Sequence, residues 1–161
     1  MNSPTETAGI HFSTTQRGMV SEQIVSSQLM LASNGRLSPY APVADDDGVD
    51  FLIKDKLSRA VVELQVKAAF VPRSNAPGTA QFDIRKRTFN EMSGGFILAV
   101  MIDPSNGAFW CGWLIPVCEL PGISRSARGC YIITPNPSET SKDRYTKWRV
   151  RSMEQVVEQL I

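Results

Sequence analysis

Residues 96–102, Phe-Ile-Leu-Ala-Val-Met-Ile, form an uninterrupted apolar run. A strand of that composition has no face suited to water, so it reads as a strand buried on both sides. The run is far too short to cross a bilayer, which assigns it to the interior of a folded domain. Residues 103–107 have the composition of a hairpin turn, and residues 108–115 read as the partner strand, ended by Pro116.

Local patterns predict the elements around this hairpin. Ser13-Thr14-Thr15-Gln16 matches a capping box, and Val20, Ile24 and Leu31 fall near one helical face before Asn34-Gly35, which predicts a first helix. Glu22 is in line with Val25 and Leu29, so it borders the apolar face. Residues 36–40 read as a short strand, Asp45-Asp46-Asp47-Gly48 as a tight turn, residues 49–54 as a second strand and Lys54-Asp55-Lys56 as a polar turn. Residues 60–67 alternate with a period of two, placing Val62, Leu64 and Val66 on one face and Glu63, Gln65 and Lys67 on the other. Residues 71–80, rich in Pro, Gly, Ser and Asn, predict a mobile loop. Asp83 is then expected to cap a second helix, with Ile84, Thr88 and Met92 along one side and Gly94-Gly95 at its end. Ser152 is expected to cap a C-terminal helix bearing Met153, Val156, Val157 and Leu160.

With 161 residues, 42% of them hydrophobic, the chain is sized for one core, so residues 13–161 are read as one domain and the polar residues 1–12 as disordered. The formal charge of +1 supplies no global field for a polyanion, and any nucleic-acid surface must be local. Arg125, Arg128, Lys142, Arg144, Lys147, Arg149 and Arg151 are the candidates for it. Cys111, Cys118 and Cys130 are odd in number and sit in or beside apolar runs, which suits reduced, buried thiols and a cytoplasmic home. A single histidine, His11, and no Cys-x-x-Cys leave structural zinc without ligands at the usual spacing. The three aspartates at 45–47 lack the spacing of a calcium loop, and Trp110 and Trp113 lie in an apolar strand where core packing is their expected role.

The predicted order is helix, strand, strand, strand, helix, strand, with Glu22, Asp50, Gln65 and Lys67 spread over the first helix and the second and third strands. On Gly18-Met-Val-Ser-Glu22, Gly48-Val-Asp50 and Glu63-Leu-Gln65-Val-Lys67, residues 17–115 resemble the PD-(D/E)XK nuclease superfamily. The usual acid-x-Lys motif is here Gln-x-Lys, as in the branch that resembles methylation-dependent restriction enzymes and uncharacterised bacterial relatives. The resemblance implies an α/β fold with a restriction-endonuclease-like core (α-β-β-β-α-β), a central mixed sheet flanked by helices and a C-terminal extension. It further implies a metal-dependent endonuclease that hydrolyses DNA, in defence or repair.

Hydrolysis of a phosphodiester gains from a hard cation that polarises the phosphoryl oxygen and acidifies an attacking water, and such cations prefer oxygen donors. By the resemblance, Asp50, the side-chain oxygen of Gln65 and the backbone oxygen of Val66 would hold Mg²⁺ or Mn²⁺. Lys67 would position the water or stabilise developing charge, Glu22 would orient the water, and Glu63 is a secondary candidate. DNA is the implied partner, with no membrane association and with room for a homodimer or a larger defence or repair complex. The alternative is a catalytically inactive nuclease fold that binds nucleic acid or a protein, because a neutral amide attracts Mg²⁺ less than a carboxylate does.

Overall fold

The fold begins at the capping box. The Ser13 hydroxyl oxygen accepts from the Gln16 N–H at 3.1 Å, and the Gln16 side chain accepts from the Ser13 N–H at 2.9 Å, opening helix α1 (Thr14–Ala32). Asn34 and Gly35, both at positive φ, then turn the chain away from the helix axis. The structure, a computed structural model, describes residues 12–44, 47–72, 78–91 and 94–161. The expected disorder of residues 1–12 and mobility of residues 71–80 therefore fall largely outside it, at 1–11 and 73–77.

The buried stripe of α1 is Ser21, Val25 and Leu29, four residues apart, with Glu22 half-buried beside it. Leu31, expected on that face, is 79% exposed, because two residues beyond Leu29 the helix has turned through more than half a revolution.

Strands β1 (Leu37–Tyr40), β2 (Phe51–Asp55) and β3 (Val61–Phe70) form an antiparallel meander. Strand β5 (Phe96–Ile102) lies parallel to β3, β6 (Phe109–Pro116) pairs antiparallel with β5, and β9 (Arg149–Val150) closes the edge. The result is one mixed six-stranded sheet in the order β1-β2-β3-β5-β6-β9.

Both faces of β5 are covered, as its apolar run requires. Leu98, Val100 and Ile102 join a core with Val25 and Leu29 of α1, Leu64 and Val66 of β3, and Val156, Val157 and Leu160 of α3 (Met153–Leu160). The Ser152 side chain caps α3 by accepting from the Gln155 N–H. Ile97, Ala99 and Met101 face the other way, into a core with Trp113, Ile115 and Leu120 of the short helix α2 (Leu120–Ile123).

That second core is roofed by a feature absent from the sequence reading. Residues 82–85, expected to open a helix, form strand β4 (Phe82–Arg85), which pairs antiparallel with β8 (Cys130–Ile133), itself paired with β7 (Arg125–Ala127). The local period is two: Phe82 and Ile84 are buried while Asp83 and Arg85 are exposed. Phe82 packs its ring 6.2 Å from Trp113, and β8 supplies the backbone partners. Met92, the third residue of the expected helical face, lies outside the described residues. The crossover from β3 to β5 thus runs through a second, three-stranded sheet, and only a 3-10 turn at Lys86–Thr88 is helical in it among the described residues.

Two further expectations need correction. Cys111 is buried, but Cys118 is exposed and Cys130 half-buried, since both lie beyond the central strands. The polar turn at Lys54-Asp55-Lys56 is a structural knot: the buried Asp55 accepts from Arg36 Nε and Nη2 at 2.8 and 2.7 Å and from Ser58 Oγ at 2.7 Å. It also accepts from the Leu57 and Ser58 N–H groups. The Arg36 hydrogen bonds first, then the Ser58 hydroxyl, hold the Asp55 carboxyl well below the usual carboxylate range, against the opposing effect of desolvation.

Candidate active site

The site is created by a mismatch in strand length. Strand β2 is in register with β3 only as far as Phe51 opposite Leu64, and one further ladder bond follows, from the Asp50 N–H to the Leu64 oxygen at 3.0 Å. Beyond it β3 continues to Phe70 with β5 on one side. Along a strand, the N–H and C=O of alternate residues point to the same edge, so those of Val66 face the side that β2 has left.

The Asp50 carboxylate fills the first gap there. Its Oδ2 accepts from the Val66 N–H at 2.6 Å, a short charge-assisted bond that holds a negative group beside the Val66 carbonyl. The same register sets Asp50 opposite Gln65, on the face of β3 that also carries Glu63 and Lys67. Asp50, Gln65 and Lys67 are half-buried and Glu63 is exposed.

A shallow depression of about 40 Å³ opens on this face, lined in part by Gly48, Val49, Glu63, Gln65, Thr88 and Phe89. It has space for a few waters or a hydrated ion, not for a nucleotide. Gly48 is what lets its walls converge: a Cβ there would stand 2.8 Å from Thr88 Oγ1 and 3.1 Å from Gln65 Nε2, and its φ of +74° is one that glycine adopts freely. Thr88 is a site residue that sequence reading passed over, because its expected place was along a helix. The signal in the sequence that could have marked it is the basic triplet Arg85-Lys86-Arg87 just before it.

The structure therefore brings Asp50, Gln65 and the Val66 backbone together and sets Lys67 two residues further along the same face. Glu22 rides on α1, whose buried residues share a core with Leu64 and Val66, the opposite face of β3. Any approach of Glu22 to the others is around the β3 edge, not through the sheet. Among the described residues no group of three or more His, Cys, Asp or Glu side chains is arranged to hold a metal ion.

The basic residues of the C-terminal third are divided. Arg149 is half-buried and tied to the protein: its guanidinium donates to the Ser138 and Asn136 oxygens and lies 5.7 Å from the Trp113 ring. Lys147 pairs with Glu119 at 3.7 Å and sits 4.0 Å over the Trp148 ring, and Arg144 donates to the Ile123 oxygen at 3.5 Å. Arg125, Arg128, Lys142 and Arg151 are exposed. Trp113 is fully buried, as its place in the apolar strand implied.

A mixed six-stranded sheet with helices packed against it, and an open strand edge that carries Asp50 and Gln65, makes this an α/β fold. Among solved structures, it is similar to that of a bacterial homing endonuclease, I-Ssp6803I. The match has a TM-score of 0.57 and 18% identity, and covers 92% of this chain and 94% of that one. No protein-family profile and no curated protein sequence matches the chain. No helix among the described residues is long and apolar enough to cross a membrane.

Proposed function

We propose that this protein is a Mg²⁺- or Mn²⁺-dependent endonuclease that hydrolyses DNA phosphodiester bonds, with a role in defence or repair. The observation that carries the reading is the Asp50 carboxylate fixed on the open edge of β3, beside the Val66 backbone and in register with Gln65. The likeness of the fold to a homing endonuclease supports it.

The donor set suits such a cation. One carboxylate, one backbone carbonyl and one amide oxygen are hard donors, and a single carboxylate matches an ion that keeps several of its waters. When bound, the cation would polarise the phosphoryl oxygen and acidify the attacking water. Asp50 contributes the charge, and Gln65 and Val66 contribute neutral oxygens. Lys67 places a positive group where negative charge grows on the phosphate, Glu22 orients the water from across the strand edge, and Glu63 is a second acid at the rim of the depression.

A second reading has one observation in its favour. Gln65 leaves Asp50 as the carboxylate beside Val66, and part of that carboxylate is committed to the Val66 N–H, which leaves less of it for a cation and favours a fold that binds without cutting. Metal titration by calorimetry beside a DNA cleavage time course separates the two. Asp50→Ala and Gln65→Ala should lose metal binding and cleavage together, whereas Gln65→Glu should be tolerated or tighten the metal. Lys67→Ala should keep the metal and lose cleavage. A parent protein that neither takes up divalent metal nor cuts any offered DNA or RNA form overturns the catalytic reading.

A further inference from the structure

With a formal charge of +1, this chain must hold a polyanion by a local concentration of cations, and the strand at 82–85 creates one outside the C-terminal basic stretch. Strand β4 ends at Arg85, and the 3-10 turn Lys86–Thr88 follows directly. The Lys86 N–H donates to the Gly129 oxygen at 2.9 Å, which ties the run to the tip of the β7–β8 hairpin. That tip is a two-residue turn in which Arg128 and Gly129 both have positive φ, at 51° and 73°, the geometry that matches the twist of paired strands and projects Arg128 outward. Arg85, Lys86, Arg87 and Arg128 are all exposed.

The cluster is joined to the depression without a break. Lys86 Nζ lies 4.7 Å over the Tyr131 ring, and that ring meets Phe89 edge-on at 5.0 Å. Phe89 and Thr88 line the depression, and Thr88 converges with Gln65 on Gly48. Arg85 to Thr88 spans at most about 10 Å of chain, a length over which duplex DNA carries about six negative charges. The acids nearest in sequence are Asp83, whose side chain accepts from Gln81 at 2.9 Å, and Glu91, so cations outnumber them.

We propose that Arg85, Lys86, Arg87 and Arg128 form a ridge that grips the phosphate backbone of duplex DNA and seats it against the Asp50–Gln65 edge; the seating rests on the nuclease reading, the grip does not. The ridge uses long exposed cations with no structural partner role comparable to that of Arg149, and it reads charge rather than sequence.

The test is fluorescence anisotropy of a short labelled DNA duplex with the full-length protein in EDTA, across about 50–200 mM salt. In the R85Q/K86Q/R87Q variant the slope of log K against log salt should fall by about 0.9 for each charge removed. The charge-conserving R85K/K86R/R87K variant should keep the parental slope, as should R17Q/R59Q, which removes exposed cations elsewhere. If the triple variant melts below the parent, R85Q/R87Q, which leaves Lys86 over Tyr131, should still lose about 0.9 per charge. An unchanged slope in the ridge variants, an equal loss per charge in R17Q/R59Q, or a ridge dependence seen with an RNA duplex and not with DNA overturns the proposal. A parent that binds DNA through the ridge but never cuts it overturns the nuclease reading alone, and a parent that cuts while ridge variants keep the slope overturns the ridge alone.

Discussion

Replacing Gly48 with alanine tests whether the depression is shaped by the absence of a side chain. Two costs add. An L-residue held at φ near +74° costs about 1–2 kcal/mol, of which a stiffer unfolded chain returns about 0.4–1 kcal/mol. The new Cβ would also stand 2.8 Å from Thr88 Oγ1 and 3.1 Å from both Thr88 Cβ and Gln65 Nε2, distances that force a displacement of the overpacking kind, worth about 1–3 kcal/mol. The net expectation is a loss of about 2 kcal/mol, or roughly 4–8 °C in Tm for a chain of this size. Urea unfolding of the four proteins of a double-mutant cycle with Thr88→Ala separates the costs. The backbone strain is indifferent to Thr88, while its 2.8 Å contact disappears, so Gly48→Ala should cost about 1 kcal/mol less in the Thr88→Ala background. An additive cycle would falsify the crowding argument, and a Gly48→Ala protein as stable as the parent would refute the strain as well. Because Gln65 must also give way, the same substitution should weaken Mg²⁺ binding in calorimetry.

Two other outcomes follow from the fold. The Asp55 carboxyl is depressed in the folded state, so the unfolded chain binds more protons below the ordinary carboxylate pKa of about 4, and stability must rise with pH there. The contribution is complete above about pH 4 and drains away as pH falls towards the depressed value; Asp55→Asn should lack this acid limb, and urea midpoints that run parallel to the parent's across that range would contradict it. Ile84→Ala should cost about 2–5 kcal/mol in the same unfolding assay, since Ile84 is wholly buried beneath the small sheet, and a change near zero would mean that residues 82–85 do not roof the second core.

Much of the frame was legible because its causes are local. The capping box at Ser13, the cap at Ser152, the alternation of residues 61–67 and the apolar run of residues 96–102 each specify an element through a few neighbouring residues, and each element is present. The facing of Glu63, Gln65 and Lys67 followed from the same two-residue period. The place of Asp50 opposite Gln65 had no such local cause: it comes from extending the antiparallel register of β2 and β3 one pair beyond Phe51 and Leu64.

What the tertiary structure decided depends on partners distant in the chain. Residues 82–92 offered apolar groups at helical spacing, yet residues 82–85 became a strand because β8, some 50 residues away, supplies a hydrogen-bonding edge and Trp113 a surface for Phe82. That change exposes Arg85, Lys86 and Arg87 together beside the depression, whereas a helix would have spread them around its circumference. Arg149 counted as a surface cation in the sequence, but the carbonyls of Ser138 and Asn136 that hold its guanidinium come from a loop whose path no local pattern predicts. The open edge at Val66 exists because β2 is shorter than β3, and strand ends are set by what pairs with them. Periodicity and capping act within a turn or two of the chain and so are written in the sequence; edges, registers and the sharing of hydrogen-bond partners arise only when distant segments meet.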